Sequence, residues 1–281
     1  MGLNKKFYKD ENISNNIKIA CWNVNSIRTR GEHVRKWMLS EKPDILALQE
    51  TKVKDEEFPT SIFTEIGYNV IFYGQPSYNG VAIAYKQSIF QQPQLLLNNL
   101  PNFIDNQSRL SAGLFVHKIT SKSIRVICVY VPNGSEVGSE KFSYKLNWLE
   151  SLIDMIEEEK KIYNNICILG DFNIAPNDID VHDPKKWQGK ILCSHEERLL
   201  FKKLLEKDLF DSYRFVNKTS KSFSWWDYRQ ASFRRNIGLR IDHILLSNTL
   251  KSSLTDAGIS TDPRKLEKPS DHAPCWVEIK L

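Results

Sequence analysis

A chain of 281 residues, 41% hydrophobic and 26% charged, can bury a large core and is too apolar for an intrinsically disordered segment. Its 39 basic against 34 acidic residues leave a net charge of +5, a mild lean toward a polyanionic partner that does not identify one. Five cysteines, odd in number and without CxxC spacing, exclude a disulfide framework and a cysteine zinc site and point to a reducing compartment.

Residues 1–15 are polar, lack a signal-peptide core, and are expected to form a loosely ordered tail before one catalytic domain over 16–281. No later segment approaches about eighteen uninterrupted apolar residues, so no membrane span is expected. The run Ile17–Trp22 predicts a strand that ends at Asn23-Val24-Asn25, and a helical pattern follows from about Gly31 to Ser40. Ile45–Leu48 predicts a second strand, ending at Gln49-Glu50-Thr51-Lys52. Further strand-like runs are Val70–Tyr73, Val81–Tyr85, Leu110–His117 and Ile124–Val131, the last containing Tyr130 and leading into Pro132-Asn133-Gly134. Apolar residues Phe142, Leu146, Leu149, Ile153 and Ile156 recur at helical steps between about Glu140 and Lys160.

The run Ile166–Leu169 closes in Gly170-Asp171-Phe172-Asn173, which places an acid and an amide at the end of a buried strand. A long irregular connection is expected from about Asp178 to Ser194, where Ser194 and Glu197 form a capping box that starts another helix. Ile241–Leu246 is flanked by Arg240 and Asp242-His243, and Ser270-Asp271-His272-Ala273-Pro274 precedes the final run, Cys275–Ile279. Strands and helices interleave without a linker, so the expected fold class is α/β (α+β), with two packed β-sheets and helices outside.

Taken singly, each polar strand end reads as a turn or as surface. Together they form a chemical inventory. Glu50, Asp271 and the amides of Asn23 and Asn25 offer oxygen ligands suited to a hard cation, Mg²⁺ or Mn²⁺. Asp242 near His272 would fix its tautomer and favour its charged form, which suits contact with phosphate. Asp171 could align or deprotonate a water, with Asn173 and Tyr130 hydrogen-bonding phosphoryl oxygens. That set describes metal-assisted phosphodiester hydrolysis, and no GxSxG elbow or P-loop competes with it.

In chain order, WNVN at 22–25, LQETK at 48–52, YNGVAI at 78–83, YVPNG at 130–134, GDFNIAP at 170–176, WWDYR at 225–229, GLRID at 238–242 and PSDHAP at 269–274 resemble exonuclease III and its relatives. These are the AP endonucleases of the endonuclease/exonuclease/phosphatase superfamily. The resemblance implies a four-layer αββα sandwich of two packed, mainly antiparallel β-sheets, and Mg²⁺-dependent cleavage 5′ of abasic sites in double-stranded DNA. It also implies 3′→5′ exonuclease and 3′-phosphatase activity on blocked 3′ ends, by a cytoplasmic, nucleoid-associated monomer. By motif, Glu50 resembles the principal metal ligand, with Asn23, Asn25 and Asp271 near it. Asp171 resembles the residue that orients or activates water, Asn173 the transition-state stabiliser, Tyr130 the phosphate-contacting tyrosine, and His272, oriented by Asp242, the phosphate-holding histidine. For DNA, the resemblance implies backbone contacts at Arg109 and Asn133, a sugar pocket of Trp225, Leu239 and Ile241, and Arg229 inserted into the duplex. Asn25 stands where some relatives carry Asp, and Leu239 where others carry Trp.

Two other classes compete: a phosphatase for small or lipid phosphates, and a catalytically silent DNA-binding module. The aromatic and arginine-rich segment 225–235 speaks against the first, and the filled acid positions against the second.

Overall fold

The computed structural model describes residues 16–281, so the tail expected over 1–15 lies outside the described residues. In chain order the strands are β1 (Asn16–Asn23), β2 (Ile45–Gln49), β3 (Tyr68–Tyr73), β4 (Val81–Lys86), β5 (Gln94–Asn98), β6 (Leu110–Val116), β7 (Ser123–Tyr130), β8 (Ile166–Asp171), β9 (Leu209–Asp211), β10 (Asp242–Ser247), β11 (Leu254–Ile259) and β12 (Cys275–Lys280). The helices are α1 (Ile27–Glu41), α2 (Ser61–Thr64), α3 (Glu140–Ile162), α4 (Pro184–Trp187), α5 (His195–Leu205) and α6 (Ser212–Val216). No helix among them is long and apolar enough to cross a membrane.

The strands form two six-stranded sheets, in the orders β11-β12-β1-β2-β4-β3 and β5-β6-β7-β8-β10-β9. Each is antiparallel except for one central parallel pair, β1 with β2 and β7 with β8. Central strands are apolar on both faces because both faces are covered. Inward, Cys21, Ala47, Ile83, Val126, Cys128, Leu169, Ile244 and Val277 fill the space between the sheets. Outward, Ala20, Leu46, Leu48 and Ala82 pack under Ile27, Val34, Trp37 and Met38 of α1. On the other side, Ile127, Ile168 and Leu245 pack under Leu149, Leu152 and Ile156 of α3 and Leu200, Phe201 and Leu204 of α5. The four layers are therefore helix, sheet, sheet, helix.

Helix starts follow their caps. The Ser194 side chain accepts from the Glu197 N–H, and Glu197 answers to the Ser194 N–H, as the capping box predicts. The first helix begins at Ile27, ahead of the expected Gly31, because Ser26 caps it by accepting from the Thr29 N–H. The connection over 178–194 is not wholly irregular: it holds a one-turn 3-10 helix, Asp178–Asp180, and α4.

The registers gather the functional ends on one edge. Parallel pairing sets Asn23 beside Gln49 in one sheet and Tyr130 beside Asp171 in the other. Antiparallel pairing sets Asp242, the first residue of β10, opposite Asp171, and Cys275, the first of β12, opposite Cys21. An Asn23 Nδ2 to Asp171 Oδ2 hydrogen bond of 2.9 Å joins the two sheets at this edge.

Candidate active site

Backbone conformation prepares the site before any side chain acts. Gly170 has φ +141°, and a Cβ there would stand 2.0 Å from the Val129 carbonyl oxygen, so only glycine fits this position of β8. Asn25, Glu50 and Asn173 all occupy the left-handed region, at φ 46°, 52° and 50°. Such conformations cost free energy for residues with a Cβ and cluster where function demands an aimed side chain.

Asp171 is buried and accepts from three donors: the Asn173 N–H at 2.9 Å, Asn23 Nδ2 at 2.9 Å and Asn173 Nδ2 at 3.3 Å. Burial, reinforced by the Asp242 charge, outweighs these bonds and the nearby His272, and lifts its carboxyl to about 7. His272 Nδ1 meets both carboxylate oxygens of Asp242 at 3.0 and 2.9 Å, while its Nε2 lies 3.7 Å from Asp171 Oδ2. Burial would favour the neutral ring, but the Asp242 and Asp171 charges dominate and raise it to about 10. At neutral pH His272 is an imidazolium held between two acids.

Glu50 receives Asn23 Nδ2 on Oε1 at 2.8 Å and the Lys52 ammonium on Oε2 at 2.8 Å. The same ammonium reaches Asn25 Oδ1 at 2.6 Å. A cation is thus already at home between the Glu50 carboxylate and the Asn25 carbonyl oxygen, and ligand atoms of Glu50, Asp171 and His272 lie within 4.8 Å of one another. The two carboxylates suit a hard divalent ion, and the imidazolium beside them has no free lone pair to offer it. Asn23 turns its amide nitrogen to both acids and its Oδ1 to the Asn25 N–H at 3.0 Å, so it orients the two carboxylates. Asp271 is likewise engaged, accepting from Asn25 Nδ2 and from Trp225 Nε1 at 3.0 Å each. Burial opposes ionisation of Asp271, but His272, Trp225 and Asn25 overcome it and hold its carboxyl below the ordinary range.

Tyr130 is half-buried beside Glu50 and Asp171, and burial together with those charges pushes its phenol well up, so it stays protonated. The Arg109 guanidinium lies 4.9 Å from its ring centroid and is fixed by Gln107. Exposed Asn133 donates to Asn173 Oδ1 at 3.1 Å. Arg229 is exposed and clamped to Asp227 at 2.6 Å, on the rim of a cleft of about 320 Å³ lined by His182, Lys186, Trp187, Lys190 and Trp225. Leu239 and Ile241 do not line an open pocket: Leu239 is 0% exposed and Ile241 1%, packed with Ala175, Val181 and Cys193 under Trp225. The backbone N–H of Leu239 donates to the Trp225 carbonyl at 3.0 Å.

Sequence reasoning missed the charges buried beneath this edge. Arg240, 0% exposed, donates to Asp180 Oδ1 and Asp211 Oδ2 at 2.7 Å each. It also contacts His243 Nδ1 at 3.0 Å, and burial plus the Arg240 charge lowers that ring to about 4. Neutral His243 therefore accepts at Nδ1 and donates from Nε2 to the Ile174 carbonyl at 2.8 Å, fixing the chain just after Asn173. Replacing Arg240 with Met leaves the largely buried Asp211 with that guanidinium gone. An unpaired buried charge costs about 3–5 kcal/mol, so urea unfolding of this variant is expected to show a loss of that size.

A profile described as the Endonuclease/Exonuclease/phosphatase family matches residues 20–272. The exodeoxyribonuclease III of Haemophilus influenzae is 37% identical over 273 residues, covering 94% of this chain and 100% of that protein. A Neisseria 3′ phosphatase, solved with a product DNA hairpin, superposes with TM-score 0.88 at 40% identity, covering 94% of this chain and 100% of that one. An Archaeoglobus fulgidus AP endonuclease gives TM-score 0.86 at 37% identity with the same coverage. The chain therefore belongs to the endonuclease/exonuclease/phosphatase family, in its exonuclease III branch, and is a hydrolytic, metal-dependent nuclease.

Proposed function

We propose that residues 16–281 act as one catalytic domain that hydrolyses double-stranded DNA 5′ of abasic sites, leaving a 3′-hydroxyl and a 5′-deoxyribose phosphate. The same site would remove nucleotides and phosphate from 3′ ends. The protein would act as a monomer on the chromosome in the cytoplasm. One observation carries the reading: a buried carboxylate, Asp171, faces an imidazolium, His272, within reach of the exposed edge of Glu50.

When bound at Glu50, with Asn25 beside it, Mg²⁺ or Mn²⁺ would supply charge to the non-bridging oxygens of the scissile phosphate. His272 donates from Nε2 to that phosphate and cannot accept a proton, because Asp242 already holds the ring charged. The proton of the attacking water therefore goes to Asp171, whose carboxyl, at about 7, is matched to that task near neutrality. Asn173, whose amide N–H groups go to Asp171 and to the Val131 carbonyl, keeps Asp171 aimed, while Asn133 presents amide nitrogen to phosphoryl oxygen and Tyr130 adds a phenolic O–H. Arg109 and Arg229 would contact the DNA backbone, and Trp225 would bed the sugar.

Incubation with a labelled duplex carrying one abasic site tests the reading. Incision is expected to stop in EDTA and to return with Mg²⁺; cutting that persists in chelator would remove Glu50 from its metal role. A second reading, in which 3′-end processing outweighs abasic incision, is favoured by the burial of Leu239 and Ile241, which leaves Trp225 alone to receive a base-less sugar. The ratio of incision to 3′-phosphate release on matched duplexes separates the two.

A further inference from the structure

Beneath the turn that carries Asn173 lies an ion pair that the proposed chemistry does not use. Lys145, from α3, and Glu197, from the first turn of α5, are both 0% exposed, and their side chains pair directly. The ammonium has three N–H groups and finds three acceptors: the Asn173 carbonyl at 2.7 Å, the Asn133 carbonyl at 3.2 Å, and Glu197 Oε1. Glu197 is equally occupied, receiving the Leu192 N–H at 3.0 Å, the Ser194 N–H at 2.9 Å and the Ser194 hydroxyl at 2.7 Å. Gly134 rests on the Lys145 stem, where an added Cβ would meet Cδ at 3.0 Å.

A buried ion pair is a poor way to gain stability, since well-packed apolar replacements are often neutral or stabilising. This one is placed where orientation matters. The two carbonyls it fastens belong to Asn133 and Asn173, whose side chains bond each other at 3.1 Å, and Asn173 Nδ2 in turn reaches Asp171 Oδ2 at 3.3 Å. Drawing the Asn173 carbonyl inward fixes the peptide that follows its left-handed φ of 50°, and so helps direct its carboxamide toward Asp171.

We propose that Lys145, held by Glu197, is a positioning residue for the Asn133–Asn173 amide pair and acts on turnover rather than on DNA binding. The inference rests on the phosphodiesterase reading of the site. Its test is the double substitution Lys145→Met with Glu197→Gln, which removes both charges while keeping a capping acceptor at 197. The folded variant is expected to lose kcat by roughly tenfold to a hundredfold, as displacements of about an ångström do, with KM for abasic duplex changed less than about threefold. Lys145→Arg, which keeps the charge and several donors, is expected to recover most of that kcat. A folded double variant with wild-type kcat, or one in which KM rises while kcat holds, overturns the proposal. Should the double variant not fold, Glu197→Gln alone carries the test: a drop in kcat at constant KM supports the role, and an unchanged kcat overturns it. Wild-type protein inactive on every phosphodiester offered refutes the reading of the site and the positioning role with it; active wild type beside an unimpaired variant refutes the positioning role alone.

Discussion

Asp171→Asn is expected to lower single-turnover incision of an abasic duplex by about 10³-fold, within the usual range for removing a general base, while leaving DNA affinity equal or slightly tighter. The carboxylate accepts from the Asn173 N–H on one oxygen and from the amides of Asn23 and Asn173 on the other. A carboxamide that keeps the first bond turns its NH₂ toward those two amide donors and toward protonated His272, so no acceptor is left for the water. Binding is spared because the substitution removes a negative charge close to where phosphate would lie. Asn has nearly the shape of Asp, so the fold should survive. Gel-shift affinity beside quenched-flow rates decides the matter: incision within about tenfold of wild type would mean that another group takes the proton. In that case the protonated state of His272 would be the first assumption to fail. The wild-type acid limb is expected at or below pH 7, because Asp171 must be ionised to act and its carboxyl stands at about 7.

The contrast between what the chain reveals and what it conceals has a physical origin. Central strands such as β8 and β10 are covered on both faces, so they read as unbroken apolar runs and their polar ends stand out as Asp171 and Asp242. The three strands not anticipated, β5, β9 and β11, are edge or near-solvent elements. β5 is mostly exposed, β9 has only three residues, and β11 shifts register between Leu254 and Asp256. None carries the periodicity that marks a covered strand. The site divides in the same way. Glu50, Asp171, Asp242 and His272 sit at run boundaries, where a polar residue is conspicuous. Lys145 lies in α3 and Asp180 ends a one-turn 3-10 helix in a polar connection, and because a charged residue normally means solvent, only tertiary packing shows both to be buried. Leu239 runs the opposite way: its motif position implies a pocket wall, and in the structure it is buried and bridged to Trp225.

Asp242→Asn is expected to lower incision by about 10²–10³-fold relative to wild type at pH 8 and by much less relative to wild type at pH 6, a pH signature that distinguishes it from Asp171→Asn. Asp242 is buried, with both oxygens on His272 Nδ1 at 3.0 and 2.9 Å, and its charge is the main force raising the imidazole to about 10 against the opposing effect of burial. The sign follows from the direction of the shift. A histidine raised from its ordinary 6.5 to about 10 remains charged, and able to hold phosphate, until pH climbs past about 10. Without the Asp242 charge, burial again favours the neutral ring, and the alkaline limb moves down toward or below the ordinary histidine value. The oxygen of the new carboxamide can still accept from Nδ1, so ring orientation is partly kept and the gap to wild type narrows as protons are added. Profiles of log kcat/KM for wild type and Asp242→Asn between pH 5.5 and 10 are expected to diverge progressively above pH 7. Parallel profiles would show that the charge on His272 is not what the Asp242 carboxylate maintains, and would reduce Asp242 to a steric support for the ring.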